Sequence, residues 1–136
     1  MKRFGLVGVL VAGMIALAGQ AAAEGDVAKG EKLFKGFLQC SSCHSLEAGE
    51  TKVGPTLAGL FGRKAGSVEG YKRYSKAMAN SEVVWDEENL SEFLKNPKKF
   101  IPESKMEFTP GGKVPRVSSD QHRADLIAYL KEATAQ

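Results

Sequence analysis

The sequence predicts an all-α domain, and three observations lead to that class. Apolar residues recur at helical spacing in segments 86–96 and 118–135, as expected for helices that bury one face. No segment alternates apolar and polar residues in the way that a half-buried strand does. Of the 136 residues, 113 follow an apolar N-terminal segment at residues 1–23, which is enough for one small domain and too few for two.

The N-terminal segment has the features of an export signal. Two basic residues precede an uncharged apolar run over 4–18, and three alanines at 21–23 provide a cleavage pattern. The run is shorter than the ~20 residues that a spanning helix needs, so cleavage is favoured over a membrane anchor. We therefore predict a cleaved secretory signal peptide at residues 1–23 and one mature domain at residues 24–136.

The predicted mature domain is nearly neutral. The whole chain carries a formal net charge of +3, and removal of Lys2 and Arg3 leaves +1. This balance does not suggest general nucleic-acid binding, so any electrostatic recognition must come from local clusters. Because no second apolar run of spanning length follows, we expect a soluble product outside the cytoplasm.

The remaining elements are predicted from caps and chain breakers. Asp26 is a suitable N-cap for an amphipathic helix that should run into the cysteine motif. In 86–96 acidic residues occupy the first turn, and Pro97 ends the helix. The stretch 53–74 is predicted to form loops with a short helical turn, and 97–120 to form a long loop. The apolar members of the first helix are Val27, Leu33, Phe34 and Phe37.

The only two cysteines of the chain lie in the sequence C-S-S-C-H at residues 40–44. A structural disulfide explains them poorly, because so short a loop gains little from cross-linking. A thiol-redox site would require a strand–helix context. A zinc site would require further ligands, and His122 is the only histidine besides His44.

The C-x-x-C-H pattern is typical of covalent haem attachment. In such sites Cys40 and Cys43 add to haem vinyl groups, and His44 reaches the iron from one axial side. The spacing fits one helical turn, which places both sulfurs along one haem edge. We therefore predict one covalent haem c with its iron. A second protein ligand would favour electron transfer, and its candidates are His122, Met78 and Met106.

Seven segments occur in the order found in one family of haem proteins. From about Gly25 to the C-terminus, the chain resembles class I c-type cytochromes of the bacterial cytochrome c2 and mitochondrial cytochrome c kind. The resemblance implies a small class I cytochrome c fold, in which helices and loops wrap around one covalently attached haem. The matching pieces are GDVAKGEKLF, CSSCH, GPTLAGLFGRKAG, Tyr74, Trp85, NPKKFIPESKM and RADLIAYL.

The resemblance implies that His44 and Met106 are the axial ligands of the haem iron. A thioether favours reduced iron and raises the reduction potential, and a proline-bounded loop would restrict the departure of Met106. We interpret Met78 as a gap-filling core residue and His122 as a surface residue. The resemblance also implies a close crossing of the first and last helices at Gly30, Phe34, Leu126 and Tyr129.

Residues around the haem follow from the same resemblance. The Pro55 carbonyl corresponds to the acceptor of the ring N–H of the proximal histidine, which fixes its tautomer. Arg63, Tyr74 and Trp85 correspond to positions that hydrogen-bond the haem propionates.

The chain departs from the family pattern at several places. Two extra residues separate Phe34 from Cys40, and the stretch before the last helix is longer. Phe93 stands where tyrosine is common, and Glu103 stands where glycine is usual.

We interpret the protein as a soluble periplasmic one-electron carrier of a respiratory or photosynthetic chain, and not as an enzyme. Alternatives are a peroxidase-like haem enzyme or a small-ligand sensor, both with an open or labile axial site, and then a thiol-redox module. We expect a monomer without membrane insertion or nucleic-acid partner, which docks redox proteins at a lysine-rimmed haem edge. The rim positions implied by the resemblance are Lys32, Lys52, Lys98, Lys99 and Lys105.

Overall fold

A computed structural model describes residues 24–106 and 117–135 of the chain. These residues form helices and loops without a β-strand, apart from an isolated antiparallel bridge between Lys64 and Val84. The all-α prediction is therefore confirmed. The helices are α1 Val27–Lys32, α2 Cys40–Cys43, α3 Lys76–Ala79, α4 Glu87–Lys95, α5 Pro97–Phe100 and α6 Asp120–Ala133.

Two predictions concern segments outside the described residues. The predicted signal peptide at residues 1–23 lies there, and so does 107–116, part of the predicted long loop. In the described part of the chain, no helix has the length and apolar character needed to cross a membrane.

Helices α1 and α6 cross closely, as expected. The Asp26 side chain caps α1 by accepting a hydrogen bond from the Lys29 backbone N–H at 2.9 Å. A Cβ at position 30 would lie 2.0 Å from the Asp125 carbonyl oxygen, so only glycine allows this approach. Phe34 packs on Tyr129 with ring centroids 5.6 Å apart, which joins the two helices at the core.

The path from α1 to the cysteine motif differs from the prediction that one amphipathic helix runs into the motif. A π-helical turn, Leu33–Phe37, follows α1, and Gln39 then adopts a left-handed conformation with φ 52°. A π-helical turn spans more residues than an α-helical turn, which accommodates extra residues before Cys40. As a result Phe34 is buried, whereas Phe37 is 64% exposed. The prediction that Phe37 belongs to the apolar face of this helix is therefore wrong.

The segment after α4 also differs from the prediction. Asp86 and Asn89 form a capping box at the start of α4, and the helix ends at Lys95 as expected. Pro97 then starts the short helix α5, because proline suits the first helical position and the Asn96 side chain accepts from the Lys99 N–H at 3.3 Å. The predicted loop therefore begins with a helical turn.

Candidate cofactor site

A cleft bounded by most elements of the fold contains every residue predicted for the haem site. It encloses about 1150 Å³ of space, its open mouth included. The predicted residues lining it are Cys40, Cys43, His44, Pro55, Arg63, Tyr74, Trp85 and Met106.

The lining of the cleft suits a large apolar cofactor that carries acid groups. Leucine, phenylalanine and methionine side chains form much of the wall, and no aspartate or glutamate of the described residues contributes to it. Positive side chains do contribute, namely Arg63, Lys64, Arg73 and Lys105. A haem, with its apolar macrocycle and two propionates, fits this combination.

The attachment motif forms one helical turn. Its closing bond runs from the His44 N–H to the Cys40 carbonyl at 2.9 Å. Burial raises the pKa of the Cys40 thiol to about 11, so this thiol is protonated near neutral pH. The turn places both cysteines on the cleft wall, in agreement with the spacing argument.

His44 is held in a form that can bind a metal. Its Nδ1 lies 2.7 Å from the Pro55 carbonyl oxygen; because a carbonyl only accepts, Nδ1 must carry the proton. Burial lowers the pKa of His44, and the charge of Arg63 acts in the same direction, while the Pro55 bond opposes both. The neutral ring with a protonated Nδ1 leaves the Nε2 lone pair for a metal.

Gly54 is a further part of the His44 environment that sequence reasoning did not single out. A Cβ at this position would lie 2.4 Å from His44 Cε1, so the backbone itself packs against the imidazole. The Gly54 N–H donates to the Cys43 carbonyl at 2.7 Å, which connects the loop around Gly54 to the attachment turn. The Gly-Pro dipeptide was the available signal.

The residues assigned to the propionates also line the cleft. Arg63 donates to the carbonyls of Ala58 and Thr56, and burial lowers the pKa of its guanidinium. The Tyr74 hydroxyl accepts from the Val68 N–H at 3.3 Å, and burial raises the pKa of Tyr74. No ion pair among the described residues includes Arg63, so its partly buried charge lacks a carboxylate there.

Trp85 packs in an aromatic cluster beside the cleft. Its ring lies 5.1 Å from Phe93 and 6.5 Å from Phe100, measured between centroids. Trp85 is only 7% exposed, yet its indole N–H makes no hydrogen bond with the described residues.

Met106 is the last described residue of the segment that follows α5. Its N–H donates to the Ser104 hydroxyl at 3.3 Å, and Ser104 is almost fully buried. Glu103 adopts φ 61°, a left-handed conformation that a residue with a side chain adopts at a cost of about 1–2 kcal/mol. Met78 belongs to the core, as predicted, but it also lines the cleft.

The predicted rim lysines are not equivalent. Lys105 lines the cleft, and Lys32, Lys98 and Lys99 are exposed without lining it. Lys52 is half-buried, and its Nζ donates to the Ser41 carbonyl at 3.0 Å, so it joins its loop to the attachment turn. His122 is exposed, as expected, with its ring 6.3 Å from that of Phe37.

Comparison with known proteins gives the family. A match to the cytochrome c family spans residues 27–134. The chain belongs to the cytochrome c family. Cytochrome c of Sesamum indicum is 53% identical over 82% of this chain and 93% of the relative. Cytochrome c of Chlamydomonas reinhardtii is 51% identical over 82% and 92%, and that of Gibberella zeae 48% identical over 82% and 98%.

Membership of this family establishes the broad function. The protein is an electron-carrying haem protein that works with redox partners, and it is not an enzyme. Its cofactor is one covalent haem c with its iron, for which Cys40 and Cys43 provide the attachment motif. The resemblance inferred from the sequence is therefore confirmed.

The predicted periplasmic location is wrong. The matching relatives come from plants, a fungus and a green alga, and cytochromes c of such organisms reside in the mitochondrial intermembrane space. The prediction rested on residues 1–23. Cleavage of residues 1–23 stays a prediction.

Proposed function

We propose that the protein carries single electrons through a haem whose iron is bound by His44 and Met106. The supporting observation is that both residues line one cleft together with the attachment cysteines. When bound, the haem iron supplies the one-electron couple between ferrous and ferric states. If His44 and Met106 both bound the iron, they would exclude small molecules from it, unlike the residues of a haem enzyme or sensor with an open site.

The chain's own residues have distinct parts in this proposal. The Pro55 carbonyl holds the His44 ring in one orientation and increases its basicity. The apolar wall would exclude water from the iron, and the thioether of Met106 would favour the reduced state. Arg63, Tyr74 and Trp85 would provide donors for the propionates, since Arg63 has no carboxylate partner among the described residues.

The absorption spectrum of the ferric protein tests the ligand assignment. A sulfur-to-iron band in the far red is expected for the wild type and should disappear in Met106→Ala. Met78→Ala is the matched control, because Met78 lines the same cleft and should keep the band despite a loss of stability. A wild-type spectrum without this band would contradict the proposal, as would loss of the band only in Met78→Ala.

We propose that redox partners dock at the exposed lysines of the predicted rim, which are Lys32, Lys98, Lys99 and Lys105. A positive rim would steer an acidic partner to the haem edge and raise the association rate, an effect that weakens as salt shortens the Debye length to ~8 Å. Redox encounters of this kind bury little area and dissociate quickly. A monomer suffices for such encounters.

The docking proposal is tested by the salt dependence of electron transfer. Lys98→Glu with Lys99→Glu should slow electron transfer to an acidic partner at low salt and flatten its salt dependence. Lys29→Glu with Lys131→Glu is the control, because it changes the net charge equally at residues outside the predicted rim. Equal effects of the two pairs would show that only net charge matters.

A further inference from the structure

Arg73 is a cleft residue that neither the motifs nor the family resemblance assigned. Its guanidinium is held at the mouth: Nη2 donates to the Lys52 carbonyl at 2.6 Å, and Cζ lies 5.7 Å from the centroid of the Tyr71 ring. The side chain lines the same cleft as Arg63.

The support beneath Arg73 is itself fixed. The Tyr71 hydroxyl donates to the Val53 carbonyl at 2.8 Å, and the Tyr71 ring meets Tyr74 edge-on at 4.6 Å between centroids. A planar guanidinium on an aromatic face is a favourable arrangement. The hydrogen bond to Lys52 and the contact with the Tyr71 ring therefore fix the position of the Arg73 charge relative to the cleft. An arginine without such contacts would not be held in one place.

Most of the hydrogen-bonding capacity of Arg73 is not used by the protein. An arginine has five N–H donors, and the hydrogen bonds of the described residues use one Arg73 atom, Nη2. No ion pair among these residues includes Arg73, and no described carboxylate lines the cleft. A permanently charged fork with free donors at this place favours a carboxylate ligand, which guanidinium binds in a bidentate manner.

We infer that Arg73 is a second guanidinium, beside Arg63, for the acidic edge of the haem, and that it keeps the haem carboxylates ionised. This inference rests on the proposed placement of the haem in the cleft. The charge should also disfavour the more positive ferric state, so that it raises the reduction potential.

Substitution of Arg73 by Gln tests the inference, with Lys72→Gln as the control. Lys72 is the exposed neighbour, and its replacement removes the same charge. In Arg73→Gln the ferrous-to-ferric ratio at a fixed electrode potential should fall about threefold. The pH range in which the reduction potential varies should also move upwards, because the haem carboxylates lose a neighbouring cation and their pKa rises. Lys72→Gln should change neither quantity appreciably.

Further outcomes separate the alternatives. Arg73→Lys should restore most of the ratio, because it keeps the charge. Equal small shifts in Arg73→Gln and Lys72→Gln would overturn the inference. Faster amide hydrogen exchange at Gly54 in Arg73→Gln, with an unchanged pH dependence of the reduction potential, would also overturn it. That result would show that Arg73 only stabilises the loop. The far-red band is recorded in each variant: its absence from the wild type defeats the ligand proposal, whereas its presence with an unchanged pH profile defeats only this inference.

Discussion

His44 and Met106 line the same cleft, but within residues 24–106 and 117–135 more contacts hold the chain around His44 than the chain around Met106. On the His44 side, the ring bonds to the Pro55 carbonyl, Gly54 packs against it, and Lys52 ties the loop to the attachment turn. The attachment turn itself would be cross-linked to the haem by two thioethers. Movement of this ligand requires several contacts to break together.

On the Met106 side, the described residues make fewer such contacts. The Met106 N–H bonds to Ser104 at 3.3 Å, and Glu103 stands in a left-handed conformation with φ 61°. Strain of this kind lowers the free energy needed to open a loop, because it is released when the loop moves. The difference between the two sides indicates that ligand loss should occur at Met106 and not at His44.

The largest effect is expected when attachment is abolished. Cys40→Ala combined with Cys43→Ala should leave a chain that does not fold, because the haem fills much of the core of a domain too small to lose it. Far-UV circular dichroism of the purified chain measures this. Ser41→Ala with Ser42→Ala, in the same turn, should retain haem and helix; a stable helical double cysteine variant without haem would refute the core role.

The firm side can be tested by crowding the His44 ring. Gly54→Ala should lower the free energy of unfolding by about 3 kcal/mol, because the new Cβ would lie 2.4 Å from His44 Cε1 and displace the ring from Pro55. Denaturant unfolding of the holoprotein measures the loss. Gly36→Ala meets no atom within 4 Å and should be nearly neutral, so similar losses in both would contradict the packing argument.

The less restrained side can be opened by removing its ligand. Met106→Ala should lower the reduction potential, because the thioether that favours ferrous iron is lost, and should raise the rate of cyanide binding to the ferric protein at least about tenfold. Potentiometry and stopped-flow absorbance measure the two effects. If the wild type already binds cyanide as fast as the variant, Met106 does not close the axial position.

The smallest effect comes from the strain itself. Glu103→Gly should gain about 0.5–1 kcal/mol of loop stability and raise the pH at which Met106 is displaced from ferric iron, followed by the far-red band. Gln39→Gly is the matched control, because Gln39 is the other non-glycine residue with positive φ among the described residues, on the His44 side. It should leave the displacement pH unchanged; an equal rise in both would mean that the effect is not local to the Met106 loop.

Much of the site could be predicted because its signals are local. The C-x-x-C-H spacing fits a single helical turn, and that turn forms. Asp26, Asp86 and Ser119 each cap a helix, as expected from residues whose side chains accept a bond from a nearby backbone N–H. The apolar periodicity of α6 likewise identified its buried residues, including Leu126 and Tyr129.

Other features depend on contacts between distant segments. Phe37 has the spacing of a core residue but is exposed, because the π-helical turn rotates it away from Phe34. Lys52 matches a rim position, yet its Nζ is bonded to Ser41. Local spacing cannot predict either result, since one depends on how an insertion is accommodated and the other on which carbonyl lies nearby.

The sequence by itself determined the covalent cofactor, the helical class and the family, because each is encoded by residues close together in the chain or by motifs in a fixed order. Only the tertiary structure decided that Gly54 packs on the imidazole and that Arg73, which lies over the Tyr71 ring, joins the wall of the cleft. These roles arise where segments far apart in sequence meet, and the energy of a contact depends on distance in space and not on separation along the chain.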